Sequence, residues 1–233
     1  MEIQVHKSYD RGHADYGWLN ANYSFSFAQH YNPSRIHFGN LRVVNDDVVA
    51  AGTGFSKHPH DNMEIITIPF KGVLEHTDSM GHRQTISANE VQVMSAGTGV
   101  FHTEYNASKT DPVNLMQIWI FPEKKNIQPR YDQKEFDSQQ AQNEWQLLVG
   151  RDGEGAPLQI NQDARISRIF LEAGREVEYA NKKTFYGNFV FVVEGEVEIA
   201  NQLGEKRDSI EIKDVEKFTI KALKNSYLIN IEV

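Results

Sequence analysis

The chain of 233 residues contains no cysteine, and this absence removes several classes of site at once. Without a thiol there is no disulfide framework, no thiolate zinc centre and no cysteine nucleophile. Long apolar segments are absent too. The run at 189–193 is too short to cross a bilayer, and the N-terminus has no apolar core of signal-peptide length. We therefore expect a cytoplasmic protein without a membrane partner.

Concentrated positive charge is also missing. The formal net charge is −8, and pairs of adjacent lysines occur only at 124–125 and 182–183. Neutralising the phosphates of a nucleic acid requires a basic face, so direct nucleic-acid binding is not expected. Hydrophobic residues at 39% and charged residues at 24% are typical of a globular protein.

Helical periodicity is weak throughout, and only residues 132–148 indicate a short helix. Segments rich in Val, Ile, Phe and Tyr predict strands over 41–45, 64–69, 73–77, 90–94 and 115–121. Asp46 and Asp47 predict a turn after the first of these strands, and residues 78–81 predict a hairpin turn that ends at Gly81. Many short strands with closely spaced turns predict an all-β sandwich or barrel.

Two parts of the chain resemble each other. Residues 68–76 resemble 191–199, and residues 116–121 resemble 228–233. Because β-hairpins look alike, coincidence is the alternative, but we favour duplication of one module. The predicted division is a domain over 1–128, a polar linker over 129–145 and a second domain over 146–233. All nine histidines lie at or before position 102, so the second domain is expected to lack metal ligands.

The histidines include a pair with strand spacing. His58 and His60 are separated by one residue, so on a strand their side chains point to the same face. His102 and Glu104 repeat this spacing further along the chain. Three imidazoles and a carboxylate from adjacent strands suit a divalent transition metal and leave coordination positions open, as catalysis requires. Ordinary surface histidines beside a turn are the alternative, and the repeated spacing makes it the weaker one.

The spacing around these residues resembles two known motifs. Gly52, His58, His60 and Glu64 resemble the first cupin motif, and residues 99–106 resemble the second. The wider context is similar to the pirin family, especially the bacterial pirin-like quercetin dioxygenases. The segments that carry this similarity are 11–19, 24–28, 41–43, 58–60, 75–81, 94–99 and 102–106. The resemblance covers roughly the first 132 residues, and beyond them it depends mainly on total length and the internal similarity.

The resemblance implies a bicupin fold, in which two antiparallel β-barrels of jelly-roll type pack face to face with few short helices. It implies one metal, held in the first barrel by His58, His60, His102 and Glu104. General cupins instead use Glu64 as the carboxylate ligand; we favour Glu104 and place Glu64 as an orienting residue. We expect Fe(II), with Cu, Mn, Ni and Zn as alternatives, because all accept nitrogen and oxygen ligands.

The activity that the resemblance implies is an oxidoreductase, a quercetinase-like dioxygenase that takes a flavonol and O2 as substrates. Glu104 would also act as catalytic base, and CO would be released as the ring opens. The alternative is a non-enzymatic, iron-binding redox sensor that binds protein partners, as eukaryotic pirins are regarded. Aromatic side chains that could wall a flat substrate are Trp18, Phe25, Phe27 and Phe101. His76 could line the same pocket or be an ordinary hydrogen-bonded histidine.

Overall fold

The computed structural model describes residues 1–151, 153, 155–182 and 187–233. Within these ranges the regular structure is β-strand apart from two short 3-10 helices, Ser8–Asp10 and Ser138–Ala141. The all-β prediction is therefore confirmed. No helix in these ranges is both long and apolar enough to cross a membrane.

The chain forms two compact units. Unit A comprises Gly12–Phe136 and Leu158–Gln162, and unit B comprises Met1–Arg11, Asp137–Pro157 and Asp163–Val233. These units differ from the consecutive segments predicted from the sequence, because the first strand of the chain pairs within unit B. A short segment near residue 160 likewise belongs to unit A rather than to the second half of the chain.

Unit A contains two antiparallel sheets. Their strands are β2 (Gly12–Asp15), β3 (Leu19–Tyr23), β4 (Leu41–Val49), β5 (Gly54–His60), β6 (Glu64–Lys71), β7 (Val73–Asp78), β8 (Arg83–Ser87), β9 (Glu90–Ser95), β10 (Val100–Asn106), β11 (Val113–Ile120) and β12 (Arg130–Glu135). The short β14 (Leu158–Ile160) also falls in unit A but belongs to neither of these two sheets. The larger sheet has the order β12-β9-β6-β11-β4-β3-β2, and the smaller sheet has the order β5-β10-β7-β8.

Unit B repeats this arrangement. Its strands are β1 (Glu2–His6), β13 (Gln146–Arg151), β15 (Arg165–Leu171), β16 (Glu176–Ala180), β17 (Asn188–Glu194), β18 (Glu196–Ile199), β19 (Gln202–Glu205), β20 (Ser209–Lys213), β21 (Lys217–Ala222) and β22 (Ser226–Glu232). The larger sheet runs β1-β20-β17-β22-β15-β13, and the smaller sheet runs β16-β21-β18-β19. Strand for strand, β17 takes the place of β6, β22 that of β11 and β1 that of β12.

The same turn marks the repeat in both units. Gly72 between β6 and β7 has φ 85°, and Gly195 between β17 and β18 has φ 95°. Only glycine adopts this left-handed region without strain, so each tight turn requires it. The two glycines lie at matching places in the segments 68–76 and 191–199, and the matching strand orders support duplication of one module.

One of the two predicted turns was wrong and the other is confirmed. The predicted turn at Asp46 and Asp47 lies inside β4, because this strand pairs with β11 on one side and β3 on the other along its length. The Asp46 side chain accepts a hydrogen bond from Asn114 at 3.0 Å instead of closing a turn. The predicted hairpin turn before Gly81 is confirmed, and Gly81 has φ 98°.

The segment predicted as a linker with a short helix contains a strand instead. β12 pairs with β9 through six consecutive residues, so its backbone hydrogen bonds are satisfied across the sheet rather than along a helix. Only one 3-10 turn follows, at Ser138–Ala141. The polar residues that indicated a linker are explained by the edge position of this strand, where one side of the strand has no neighbouring strand.

The interior of unit A forms where the apolar faces of its strands meet. One buried cluster includes Leu74, Val113 and Leu115, with Trp18, Phe27 and Phe55 packed against it. A smaller one joins Ile65, Met94 and Val100. Strand alternation leaves the polar residues of β10 among these apolar groups, which sets the position of the site described next.

Candidate metal centre

The two predicted pairs of site residues lie on neighbouring strands. His58 and His60 are on β5, and His102 and Glu104 are on β10. His102 is directly opposite His58 in the register of the two strands, and a bulge follows before Glu104. Pro59 is tolerated between the histidines because β5 is an edge strand of its sheet.

Three imidazole rings converge at this point. The Nε2 atoms of His58 and His102 are 2.9 Å apart. The ring of His60 has its centroid 4.9 Å from that of His58 and 4.8 Å from that of His102. One ring nitrogen from each histidine lies within 4.8 Å of the other two. The structure therefore brings together His58, His60 and His102, the three histidines of the two predicted pairs of site residues.

A local hydrogen bond orients the first of these rings. The Nδ1 of His58 lies 2.7 Å from the carbonyl oxygen of Ser56 and donates its hydrogen to it. A neutral imidazole has one N–H, so the Nε2 of His58 carries a lone pair toward His102. This is the arrangement expected for a metal-binding imidazole whose other nitrogen is fixed by a carbonyl group.

Burial keeps the rings uncharged. Desolvation, with the neighbouring His58 imidazole, lowers the pKa of His60 to about 4. Desolvation and the surrounding histidines lower the pKa of His102 to about 2. The imidazoles of His60 and His102 are therefore neutral, and imidazole nitrogens are donors for a cation of intermediate softness. The residues present thus fit a divalent transition metal.

Glu104 lies in the same interior and is only 4% exposed. Both of its carboxylate oxygens accept hydrogen bonds from the Gln117 amide, at 2.9 and 2.8 Å. Burial raises the pKa of Glu104 to about 7, against the lowering effect of the hydrogen bonds from Gln117 and Thr67. A ligand atom of Glu104 lies within 4.8 Å of those of His102 and His76, forming a second group that shares His102 with the first.

Glu64, the alternative carboxylate, is also buried but joins neither of these two groups of potential ligands. Its Oε2 accepts a hydrogen bond of 2.6 Å from Ser95. Burial raises its pKa, while the Ser95 hydroxyl, the backbone of Asn161 and the charge of Arg130 act in the opposite direction. The choice between Glu104 and Glu64 as the carboxylate ligand stays a prediction, and this geometry favours Glu104.

A cavity of about 360 Å³ opens beside the cluster. His58, His60, His102 and Glu104 line it together with an apolar wall and a small polar group. The apolar wall is formed by Trp18, Phe27, Phe55, Ile65 and Trp119, and the polar group is Asn45, Asp47 and Gln117. Mostly apolar walls with a few placed polar groups are typical of small-molecule sites.

The predicted aromatic residues divide between cavity and other positions. Trp18 and Phe27 line the cavity. Phe25 is buried elsewhere, with the Arg35 guanidinium 4.9 Å from the ring centroid. Phe101 is 49% exposed and does not line the cavity, because it alternates with His102 along β10 and faces the other side of the sheet.

Two functional positions on β11 were missed in the sequence. Gln117 holds the Glu104 carboxylate, and the Trp119 ring lies edge-on to His60 with centroids 4.9 Å apart. A signal was present: Gln117 is a polar residue inside the otherwise apolar run 115–120 of β11. A buried amide needs a partner, so such an interruption indicates a polar group nearby.

Comparison with protein families matches both parts of the chain. The family model described as Pirin matches residues 4–120, and the model described as the quercetinase C-terminal cupin domain matches residues 147–233. A quercetin 2,3-dioxygenase from Escherichia coli K12 is 40% identical over 223 residues, covering 94% of each chain. A pirin-like protein from Caulobacter vibrioides is 38% identical and covers 97% of each chain.

Solved structures show the same similarity in three dimensions. The crystal structure of YhhW from Escherichia coli has a TM-score of 0.95 and 39% identity, over 100% of this chain and 97% of that one. The bacterial pirin YhhW in complex with nickel(II) has a TM-score of 0.94 and 38% identity, covering 100% and 99% of the two chains. Both similarities extend over unit A and unit B.

Proposed function

This chain belongs to the pirin family, and from that premise we propose that it is a metal-dependent dioxygenase that opens the heterocyclic ring of flavonols such as quercetin. The observation that carries the proposal is the convergence of three imidazole nitrogens and the Glu104 carboxylate on one cavity with aromatic walls. The relative named quercetin 2,3-dioxygenase, similar along 94% of the chain, supports the same activity.

The metal ligands in this proposal are His58, His60, His102 and Glu104. The rings of His60 and His102 are neutral, the state in which imidazole binds a metal, and the nitrogens of all three histidines converge. The nickel(II) complex of the related YhhW supports the binding of a divalent ion by this chain. We propose Fe(II) as the native ion, since mixed nitrogen and carboxylate ligands suit it, with Ni, Mn, Cu and Zn as the ions to compare.

When bound, the ion supplies a Lewis acid and a template that holds the substrate oxygen near O2. The protein supplies the base. Glu104 takes the proton of the flavonol 3-hydroxyl. Burial raises the pKa of this carboxyl in the metal-free site, and the attraction of a bound cation acts in the opposite direction, which keeps the carboxylate ionised and able to accept the proton. The Gln117 amide holds both carboxylate oxygens and fixes their direction.

The cavity fits a flat aromatic substrate that carries hydroxyl groups. Trp18, Phe27 and Trp119 offer ring surfaces. Asn45 lines this cavity, and its buried side-chain oxygen accepts no hydrogen bond from the residues that the structure describes, so it is available to receive one from a substrate hydroxyl. The volume of about 360 Å³ lies at the lower end of the range for ligand pockets, which favours a single small molecule.

The activity is tested by aerobic turnover of quercetin. Metal-free protein is reloaded separately with Fe(II), Ni(II), Mn(II), Cu(II) or Zn(II), and loss of flavonol absorbance and release of CO are followed with and without chelator. We expect turnover with at least one ion and its loss in His58→Ala and Glu104→Ala. His37→Ala is the matched control, since this exposed histidine hydrogen-bonds the nearby Gly39 carbonyl and lies outside the cavity lining.

Two results would contradict the proposal. Absence of metal-dependent turnover with all five ions would exclude the flavonol activity and favour the alternative of a metal-binding regulator with a protein partner. Equal activity of Glu104→Ala and the unmodified protein would exclude the assigned base. Circular dichroism of each variant distinguishes loss of chemistry from loss of fold.

A further inference from the structure

A row of hydrogen-bonded side chains leads from His102 to the surface of unit A. The Nδ1 of His102, the nitrogen not facing His58, is 3.4 Å from the Nδ1 of His76. The Nε2 of His76 is 3.1 Å from the Asp78 carboxylate, which also lies 2.9 Å from the Nδ1 of His82. The side chains of His76 and Asp78 are fully buried, and that of His82 is 37% exposed.

The fold builds this row from two neighbouring strands. In the register of β7 and β10, His76 is opposite Glu104 and Asp78 is opposite His102. His76 and Asp78 are two residues apart, so both point to the side of the sheet on which the metal ligands lie. The ring of Tyr131 packs against both histidines of the row, 4.9 Å from His76 and 4.7 Å from His82 between centroids.

The direction of each hydrogen bond follows from Asp78. An ionised carboxylate can only accept, and this one accepts from the backbone N–H groups of Met80 and His82 at 2.9 and 3.1 Å. Burial raises the pKa of Asp78, but the hydrogen bonds from His76 and His82 outweigh this effect and lower the pKa below its ordinary value. The carboxylate is therefore ionised. The Nε2 of His76 must therefore donate to it.

The next bond is determined by the first. The Gln92 amide nitrogen can only donate, and it lies 3.3 Å from the Nδ1 of His76, so this atom is an acceptor. The N–H of the ring is therefore on Nε2, where it is given to Asp78. The only direction left for the contact between the two histidines is donation from the Nδ1 of His102. The Nε2 of His102 is thereby left with its lone pair facing the Nε2 of His58.

We propose that His76 and Asp78 are positioning residues for the metal centre: they fix His102 in the tautomer whose Nε2 binds the ion and hold its ring in place. Histidine ligands commonly donate their second N–H to such a partner, and losing it costs about 10- to 100-fold in metal affinity. Here the partner is a second, neutral histidine, itself oriented by the buried carboxylate. The inference depends on His102 being a ligand in the proposed function but not on the identity of the substrate.

Zinc affinity tests this role without any activity measurement. We expect competition with a chromophoric chelator to show binding about 10- to 100-fold weaker in His76→Phe, which keeps a ring but has no acceptor. His76→Asn, whose side-chain oxygen can accept near the position of the lost Nδ1, is expected to recover at least part of the loss. His37→Phe is the control for removal of a histidine and is expected to bind as the unmodified protein does.

Nuclear magnetic resonance of the unmodified, zinc-loaded protein tests the same assignment without a substitution. Nitrogen chemical shifts should show His76 neutral with its proton on Nε2, and a nitrogen–nitrogen coupling across the hydrogen bond should join it to His102. A proton on the Nδ1 of His76 would overturn the proposal, whether or not the variants fold.

The affinity results also separate this inference from the ligand assignment. Failure of the unmodified protein to bind zinc would contradict the proposed ligand set. Tight binding by the unmodified protein together with equal binding by His76→Phe would contradict the positioning role alone. The positioning role would also be contradicted if His76→Asn bound zinc as weakly as His76→Phe while both variants remained folded.

Discussion

Burial shifts the pKa in opposite directions for the two kinds of titratable side chain in the proposed metal centre. It lowers the pKa of the imidazoles of His60 and His102 and raises that of the Glu104 carboxyl. In each case the neutral form is favoured, because the interior of unit A solvates charge poorly. A divalent cation reverses the balance for Glu104, since the attraction between opposite charges stabilises the carboxylate.

The raised pKa of Glu104 predicts a pH-dependent effect of Glu104→Gln on metal-free protein. The folded pKa of about 7 exceeds the ordinary value of 4.5, so the stabilising contribution is complete below pH 4.5 and is lost as the pH rises through 7. Relative to the unmodified protein, the variant should gain about 3 kcal/mol in free energy of unfolding between pH 4.5 and 8. Urea unfolding at both pH values measures this change, and a pH-independent difference would contradict it.

The two buried glutamates are expected to differ in their effect on metal content. Glu104→Gln should lower the zinc affinity by about 10-fold or more, because it replaces the proposed carboxylate ligand by an uncharged amide. Glu64→Gln should leave it within about 3-fold, since Glu64 is held by Ser95 and lies outside both ligand groups. Competition titration measures both, and a large loss for Glu64→Gln alone would reverse the ligand assignment.

At the scale of the strand, the side chains of β10 point alternately to the proposed metal centre and to the solvent. His102 and Glu104 face the interior, whereas Phe101 and Tyr105 are exposed on the other face. Lys57 lies on that outer face as well, with its amino group 5.2 Å from the Phe101 ring centroid. A side chain shifted by one position along β10 therefore points to the solvent-exposed face instead of the proposed metal centre.

This alternation predicts that Phe101→Ala is nearly silent in the proposed chemistry. We expect zinc affinity and quercetin KM within about 2-fold of the unmodified protein, because a surface substitution away from the cavity changes little. Trp119→Ala, on the cavity wall and against His60, is the contrasting variant and should raise the KM for quercetin about 10-fold or more. Equal effects of the two substitutions would contradict the assignment of the cavity wall.

At the scale of the whole molecule, the two units share strand order but not chemistry. In the register of unit B, Phe218 on β21 takes the place of His102, and Ile220 that of Glu104. Tyr179 is opposite Phe218, as His58 is opposite His102. All three side chains of unit B belong to its buried apolar core. The repeat kept the framework and replaced the donor atoms by apolar groups.

This replacement predicts one metal ion per chain. Phe218 and Ile220 offer no donor atom for a divalent ion, and the Tyr179 hydroxyl is hydrogen-bonded to Glu232 at 2.9 Å, so zinc titration should saturate at one equivalent. Elemental analysis of protein purified after saturation measures the ratio. His102→Ala should abolish the binding of this one equivalent of zinc. A second tightly bound equivalent that survives the substitution would contradict the prediction.

The spacing of a few residues was enough to predict the strands and the histidine cluster. Side chains alternate along a strand with a period of two, so His58-Pro59-His60 and His102-Thr103-Glu104 specify their common face wherever the strands lie. The duplication was also readable, because the glycine turns at Gly72 and Gly195 impose the same local geometry on both copies. These features depend on residues close together in the chain.

Contacts between distant residues could not be predicted in this way. The pairing of β1 with β20, the strand in the predicted linker, the support of Glu104 by Gln117 and the row from His102 through His76 to Asp78 all depend on which strands become neighbours. Strand order is set by the packing of the entire sheet, to which each residue contributes only a small part of the free energy. The identity of the ligands could therefore be proposed from local spacing, whereas the partners that orient them emerged only once the strands were assembled.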